Sequence, residues 1–179
     1  MNRFPKIIAI ALILVPSIAL GAFYDMPLQA AADMRYLGLI KVYRAELYSN
    51  QPLDKHNALD QDVSRCLTLK YLVSLSADDF RRGADAILSR QHSSEVLADI
   101  RNDVRTLHAA YQDVQKGDAY SLCYDADRRT TTLLLNQAEL VSITSAEFAG
   151  IYFGIWLGPE APIDEALRDK LLSPKTTTD

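Results

Sequence analysis

The chain has 179 residues, 49% of them hydrophobic, and a formal net charge of -4. That length holds one domain with a proper core. The excess of acids makes the chain a poor candidate for binding nucleic acid or an anionic membrane, because both need basic patches.

The chain opens "MNRFPKIIAIALILVPSIALGAF". Arg3 and Lys6 precede an apolar run from Ile7 to Leu14, Pro16 breaks it, and Ala19, Gly21 and Ala22 are small. This is the order of a secretory signal peptide. The run falls short of the roughly 20 residues that span a bilayer, so cleavage after Gly21 or Ala22 is expected, not a retained anchor. The expected division is a signal peptide over 1–22, a folded domain over 23–172 and a disordered tail over 173–179. The product is expected to be exported, periplasmic or secreted, with no stable membrane insertion. Losing Arg3 and Lys6 takes the formal charge from -4 to -6.

"RYLGLIKVYRAELYS" (35–49) reads as a strand pair or one long bent strand. "NQPLDKHNALDQD" follows as a loop. In "CLTLKYLVSL", Leu67, Leu69, Tyr71, Val73 and Leu75 alternate on one face of a strand. Cys66 lies on the other face, expected to meet solvent. Ser76 and Asp79 open "SADDFRRGADAILSR" in a capping-box spacing. The next segment places Leu97, Ile100, Val104, Leu107, Tyr111 and Val114 at helical spacing. This predicts one amphipathic helix ending at Gly117.

"AYSLCYDADRRTTTLLLNQAELVSI" reads as strands with turns at "DADRR" and "NQAE". Tyr120, Leu122 and Tyr124 share one face, and Cys123 lies on the other. In an oxidising compartment a Cys66–Cys123 disulfide and two free thiols both stand open. Thr144 and Glu147 predict a cap for the helix "AEFAGIYFGIWL". Phe148, Ile151, Tyr152, Ile155 and Trp156 fall on one face of it. Gly150, Gly154 and Gly158 make a low ridge that a backbone or a ligand could approach. "PIDEALRDKLL" reads as a last helix with acids first and bases last. Strands, helices, strands, helices predict an α+β fold with an antiparallel sheet covered on one side.

The segments "RYLGLIKVYRAELY", "LSADDF", "VQKGDAYSLCYD", "LLLN" and "FAGIYFGIWLGPEAPIDEALRDKLL" occur in the order seen in bacterial chalcone isomerase-like proteins. The resemblance covers Met34 to Leu172. It implies an open-faced β-sandwich, with an apolar cleft between the sheet and the helical layer. Plant-type members isomerise chalcones, whereas other branches bind fatty acids. An arginine on the first sheet strand marks both branches, and Arg35 fits it. A guanidinium at an apolar cleft mouth suits a carboxylate or phenolate.

The resemblance also implies that polar groups of the catalytic cleft are replaced. Tyr43 stands where the plant enzymes have threonine, Phe80 where they have tyrosine, and Ile87 where they have asparagine. Phe80 and Ile87 can neither donate nor accept a hydrogen bond. Beside Arg35, Tyr43 could complete a carboxylate clamp, or it could be a core tyrosine with its hydroxyl at the rim.

His56, His92 and His108 show no metal-ligand spacing, and no nucleophile elbow, phosphate loop or C-x-x-C occurs. No metal and no cofactor are expected. The leading expectation is a non-catalytic protein that binds a small amphipathic acid, such as a fatty acid. Arg35 would take its charged end, with Tyr43, Phe80, Phe148, Tyr152 and Trp156 around it. An isomerase with altered catalytic residues, and an interaction protein whose own side chains fill the cleft, are the alternatives.

Overall fold

The computed structural model describes residues 25–173. The expected signal peptide and all of the tail but Ser173 lie outside the described residues. Six strands form one antiparallel sheet in sequence order: β1 (Leu28–Tyr36), β2 (Ile40–Ser49), β3 (Arg65–Tyr71), β4 (Ala119–Asp125), β5 (Thr130–Leu135) and β6 (Ala138–Thr144). The β3–β4 connection carries α1 (Ala77–Gln91), α2 (Ser94–Asp99) and α3 (Arg101–Ala110). After β6 come α4 (Ala146–Leu157) and α5 (Glu165–Leu171). Among the described residues, no helix is long and apolar enough to cross a membrane.

The inner sheet face follows the apolar alternation. Ala45 and Leu47 of β2, Leu67 and Leu69 of β3, Tyr120 and Leu122 of β4, and Leu133 of β5 are buried in one core with the helices. α4 is apolar almost all round because it is buried almost all round: Phe148, Ala149, Tyr152 and Phe153 have no exposed surface. Full burial of each large apolar side chain contributes about 1.5–3 kcal/mol. Its glycine ridge meets protein. A Cβ on Gly150 would lie 3.7 Å from the Leu59 carbonyl, and one on Gly154 would lie 3.7 Å from the Gln91 side chain. Gly158 caps the helix, and there a Cβ would stand 2.5 Å from the Gly154 carbonyl oxygen.

Several elements differ from the sequence expectation. The strand pair is a hairpin whose first strand begins at Leu28. The long helix over 93–117 is two, broken at the buried Ile100 (φ -99°, ψ 7°) and finished at Ala110. Beyond that point tertiary hydrogen bonds displace the helical ones. Val114 bridges Leu75, the Gln112 backbone bonds to the Tyr120 hydroxyl, and Asp113 accepts from the Ala77 N–H. Gly117 (φ +102°) serves the turn into β4 instead. The α4 cap is Ser145, whose Oγ accepts from the Phe148 N–H, while Thr144 pairs with Thr130 in the sheet. The Ser76–Asp79 capping box of α1 is present as read.

On the outer sheet face Cys66 and Cys123 stand directly opposite each other and form a disulfide. They are not solvent-facing: Met26, Leu134 and Tyr48 pack around them. Nearby, Glu46 is nearly buried. Burial works to raise its pKa, but hydrogen bonds from Tyr48 and Lys70 outweigh that and hold it below the ordinary range.

Candidate ligand cavity

Between the inner face of the sheet and α1 lies an apolar cavity of about 400 Å³, within the size range of small-molecule sites. The cleft is therefore not filled by the protein's own side chains. Its sheet wall includes Met34, Val42, Leu67, Leu69 and Leu122. Its helical wall includes Phe80, Gly83, Ala84 and Ile87 of α1, together with Ile155 and Trp156 of α4. Gly83 and Ala84 leave the space because they bring no bulk to the wall. The pairing of β1 with β2 slips between Met34 and Arg35. This bulge breaks the alternation of β2, so that consecutive residues Val42 and Tyr43 both line the cavity.

The polar atoms of the cavity come mainly from aromatic residues. Tyr43 and Tyr71 are direct cross-strand neighbours, with ring centroids 5.9 Å apart. Trp156 Nε1 donates to Tyr43 Oη at 3.2 Å, which leaves the Tyr43 proton uncommitted. The Tyr71 hydroxyl makes no hydrogen bond to any described residue. Tyr120 is satisfied by the Gln112 backbone, donating to its carbonyl and accepting from its N–H. Tyr111 Oη lies 2.9 Å from Tyr152 Oη, which in turn lies 3.1 Å from His108 Nε2. Phe80 packs against three of these rings: Tyr71, Tyr111 and Tyr120.

Burial pushes the phenol pKa of Tyr43, Tyr71, Tyr111 and Tyr120 upward in every case. They stay protonated near neutral pH and act as hydrogen-bond donors, not bases. Asp79 stands at the cavity mouth. Hydrogen bonds from Ser76 lower its pKa first, and Arg82 adds to the effect, so it is committed to the α1 cap. Among the described residues, no Lys or Arg lines the cavity, and none form a metal-binding group of His, Cys, Asp or Glu.

The structure brings together Tyr43, Phe80 and Trp156, and places three other expected residues elsewhere. Arg35 is exposed and outside the lining, although its neighbours Met34 and Tyr36 are both in it. By strand alternation it shares the outward face with Asp33. Phe148 and Tyr152 are fully buried in the core, two turns and one turn along α4 from the residues that reach the cavity. Tyr71, Tyr111 and Tyr120 were not expected in the site. Tyr71 and Tyr120 did carry a signal: each is a phenol in an otherwise apolar, inward-facing set.

Comparison with known proteins agrees with this architecture. No curated protein matches the sequence significantly. The fold is similar to the crystal structure of a fatty-acid binding protein from Arabidopsis thaliana. The TM-score is 0.60 at 14% identity, covering 83% of this chain and 87% of that one. At that identity the likeness is one of fold. A family model described as chalcone isomerase-like matches residues 24–173. The chain belongs to the chalcone isomerase-like family.

Proposed function

We propose that this is an exported, non-catalytic protein that binds a small amphipathic acid, such as a fatty acid, in the cavity. The observation that carries the reading is an apolar cavity in which two neighbouring phenols, Tyr43 and Tyr71, keep uncommitted protons. The tail of the ligand covers Leu67, Leu69, Ile87 and Leu122, and one oxygen of its head accepts from the two phenols. Fatty-acid binding in the Arabidopsis thaliana protein of similar fold supports the ligand class. The upward pKa shifts support binding over chemistry, because none of the shifted phenols is poised to take a proton.

The polar anchor is thereby assigned to Tyr43 and Tyr71 instead of Arg35. Each hydrogen bond contributes about 0.5–1.5 kcal/mol net. In titrations with a fluorescent fatty acid, the Tyr43→Phe/Tyr71→Phe double variant is expected to bind roughly tenfold more weakly. Arg35→Ala is expected to bind within about twofold of the parent. Loss of binding in Arg35→Ala alone would put the head at the rim and overturn the assignment. Turnover of a chalcone above its spontaneous rate would overturn the non-catalytic reading.

A further inference from the structure

The β1–β2 turn is built against the ordinary rules for an exposed hairpin. Leu37 (φ +50°) and Gly38 (φ +71°) both adopt left-handed backbone, as the central pair of a tight turn closed by the Leu39 N–H on the Tyr36 carbonyl. Glycine or asparagine suits the first position, and leucine there is strained. Leu37 is also 79% exposed and Leu39 82%, with Tyr36 at 58% and Ile40 at 57%. Leu72, hydrogen-bonded through its backbone to Val42, adds to the same end of the sheet. These are five of the six large exposed apolar residues among those described. A strained turn and a cluster of exposed leucines gain nothing inside this fold, and a patch of this kind marks an interaction surface.

Two observations point to the partner. First, the patch is continuous with the cavity, since Tyr36 and Ile40 belong to both. An apolar chain could pass between the tip and the cavity without crossing water. Second, cations gather behind the tip. Arg35 and Lys41 are paired in register directly below it, and Arg44 and Lys70 follow on the outer face. The acids among them are Asp33, paired with Lys41 and Arg44, and Glu46, paired with Lys70 and Arg44. The hairpin thus carries a local excess of positive charge on a chain that is acidic as a whole. Apolar tips with a basic collar suit an interface of acyl chains beneath anionic headgroups.

We propose that the Tyr36–Ile40 hairpin docks on an anionic phospholipid surface. The tip leucines enter the headgroup–acyl boundary, and Arg35 and Lys41 sit among the phosphates. The docking is interfacial and does not span the bilayer. It does not depend on what occupies the cavity.

The test places a reporter on the tip of the full chain. Leu39→Trp adds a second tryptophan to the buried Trp156. With vesicles of equimolar phosphatidylglycerol and phosphatidylcholine, its emission is expected to shift to shorter wavelength and to be quenched by brominated acyl chains. The response is expected to weaken severalfold with phosphatidylcholine alone, in high salt, or in Arg35→Ala. Leu37→Asn/Leu39→Thr relieves the turn, so it is expected to fold at least as stably. It is also expected to lose most vesicle association while keeping fatty-acid binding in free solution. A tip tryptophan that ignores vesicles overturns the proposal. So does one that shifts only as protein concentration rises, with a dimer in sedimentation, which would make the tip a contact between copies. If the parent binds no fatty acid yet the tip still responds to vesicles, the cavity reading fails and this one stands.

Discussion

The two ends of the inner sheet face are built from one alternation and filled in opposite ways. At one end the Tyr43–Tyr71 pair borders the cavity. At the other the Arg65–Tyr124 pair is closed. Arg65 is fully buried, with its guanidinium 4.9 Å from the ring centre of Tyr124 and 4.7 Å from that of Phe153. Its Nη1 donates to the Asp60 and Val63 carbonyls, and the Tyr124 hydroxyl donates to the Gln61 carbonyl. The loop between β2 and β3 is thus drawn down over that end. Burial still lowers the Arg65 pKa to about 10, and its Nε and Nη2 have no hydrogen-bond partner among the described residues. The comparison teaches that the closed end spends its polar groups holding the chain, even at a desolvation cost. The open end leaves two phenols without such a task.

The sharpest way to break this contrast is to cut bulk from the closed end. Phe153→Ala is expected to cost about 3–5 kcal/mol in urea unfolding, since nothing can collapse into the gap. A loss below about 1 kcal/mol would show that this end is also loosely filled.

Adding bulk tests both ends at once. Ala149→Leu enters a packed site and is expected to destabilise by about 1–3 kcal/mol. Ala84→Leu points into the cavity and is expected to be neutral or to stabilise by up to about 2 kcal/mol, while abolishing fatty-acid binding. Equal losses from the two substitutions would remove the distinction between the ends.

A third prediction concerns the polar chain beside the cavity. Burial lowers the His108 pKa below its usual value. Asp85, 3.7 Å away, works against this, and Arg81 adds to it. The unfolded chain therefore binds this proton more readily. Stability is expected to fall as pH drops below about 6.5 and to level off once the folded form also protonates. The slope is at most about 1.4 kcal/mol per pH unit. His108→Gln is expected to flatten this interval and leave the carboxylate-driven loss at lower pH unchanged.

The smallest effect belongs to the cap of the cavity's helical wall. Ser76→Ala is expected to cost about 1 kcal/mol. Hydrogen exchange should speed up in α1 and stay unchanged in α4. Acceleration across both helices would mean that the wall of the cavity and the core helix open as one unit.

Much of the architecture was legible in local pattern. The inward set from Leu67 to Tyr71, the α1 capping box and the apolar α4 each specify an element through contacts that follow from spacing. The strand stops at Tyr71, and Val73 and Leu75, expected to continue it, line the cavity from the connection to α1 instead. The break at Ile100 and the extended run from Tyr111 to Val114 were not legible. A spacing of three and four suits a helix, and only bonds to Leu75, Tyr120 and Ala77 decide against it. The site was readable in part for the same reason. Tyr43, Phe80 and Trp156 lie on faces that the pattern turns inward. The outward placement of Arg35 depends on strand register at a bulge, and the free hydroxyl of Tyr71 depends on what fails to approach it.

The Cys66–Cys123 disulfide has a consequence for how the cavity wall is held. It joins the last strand before the helical excursion to the first strand after it, across 57 residues of sequence. Everything between, including the cavity wall on α1, is a closed ring of chain clasped at its base. The clasp removes freedom from the unfolded chain, so less entropy is lost when α1 is laid over the sheet. With the clasp reduced, the same ring would be held to the sheet by backbone and packing alone.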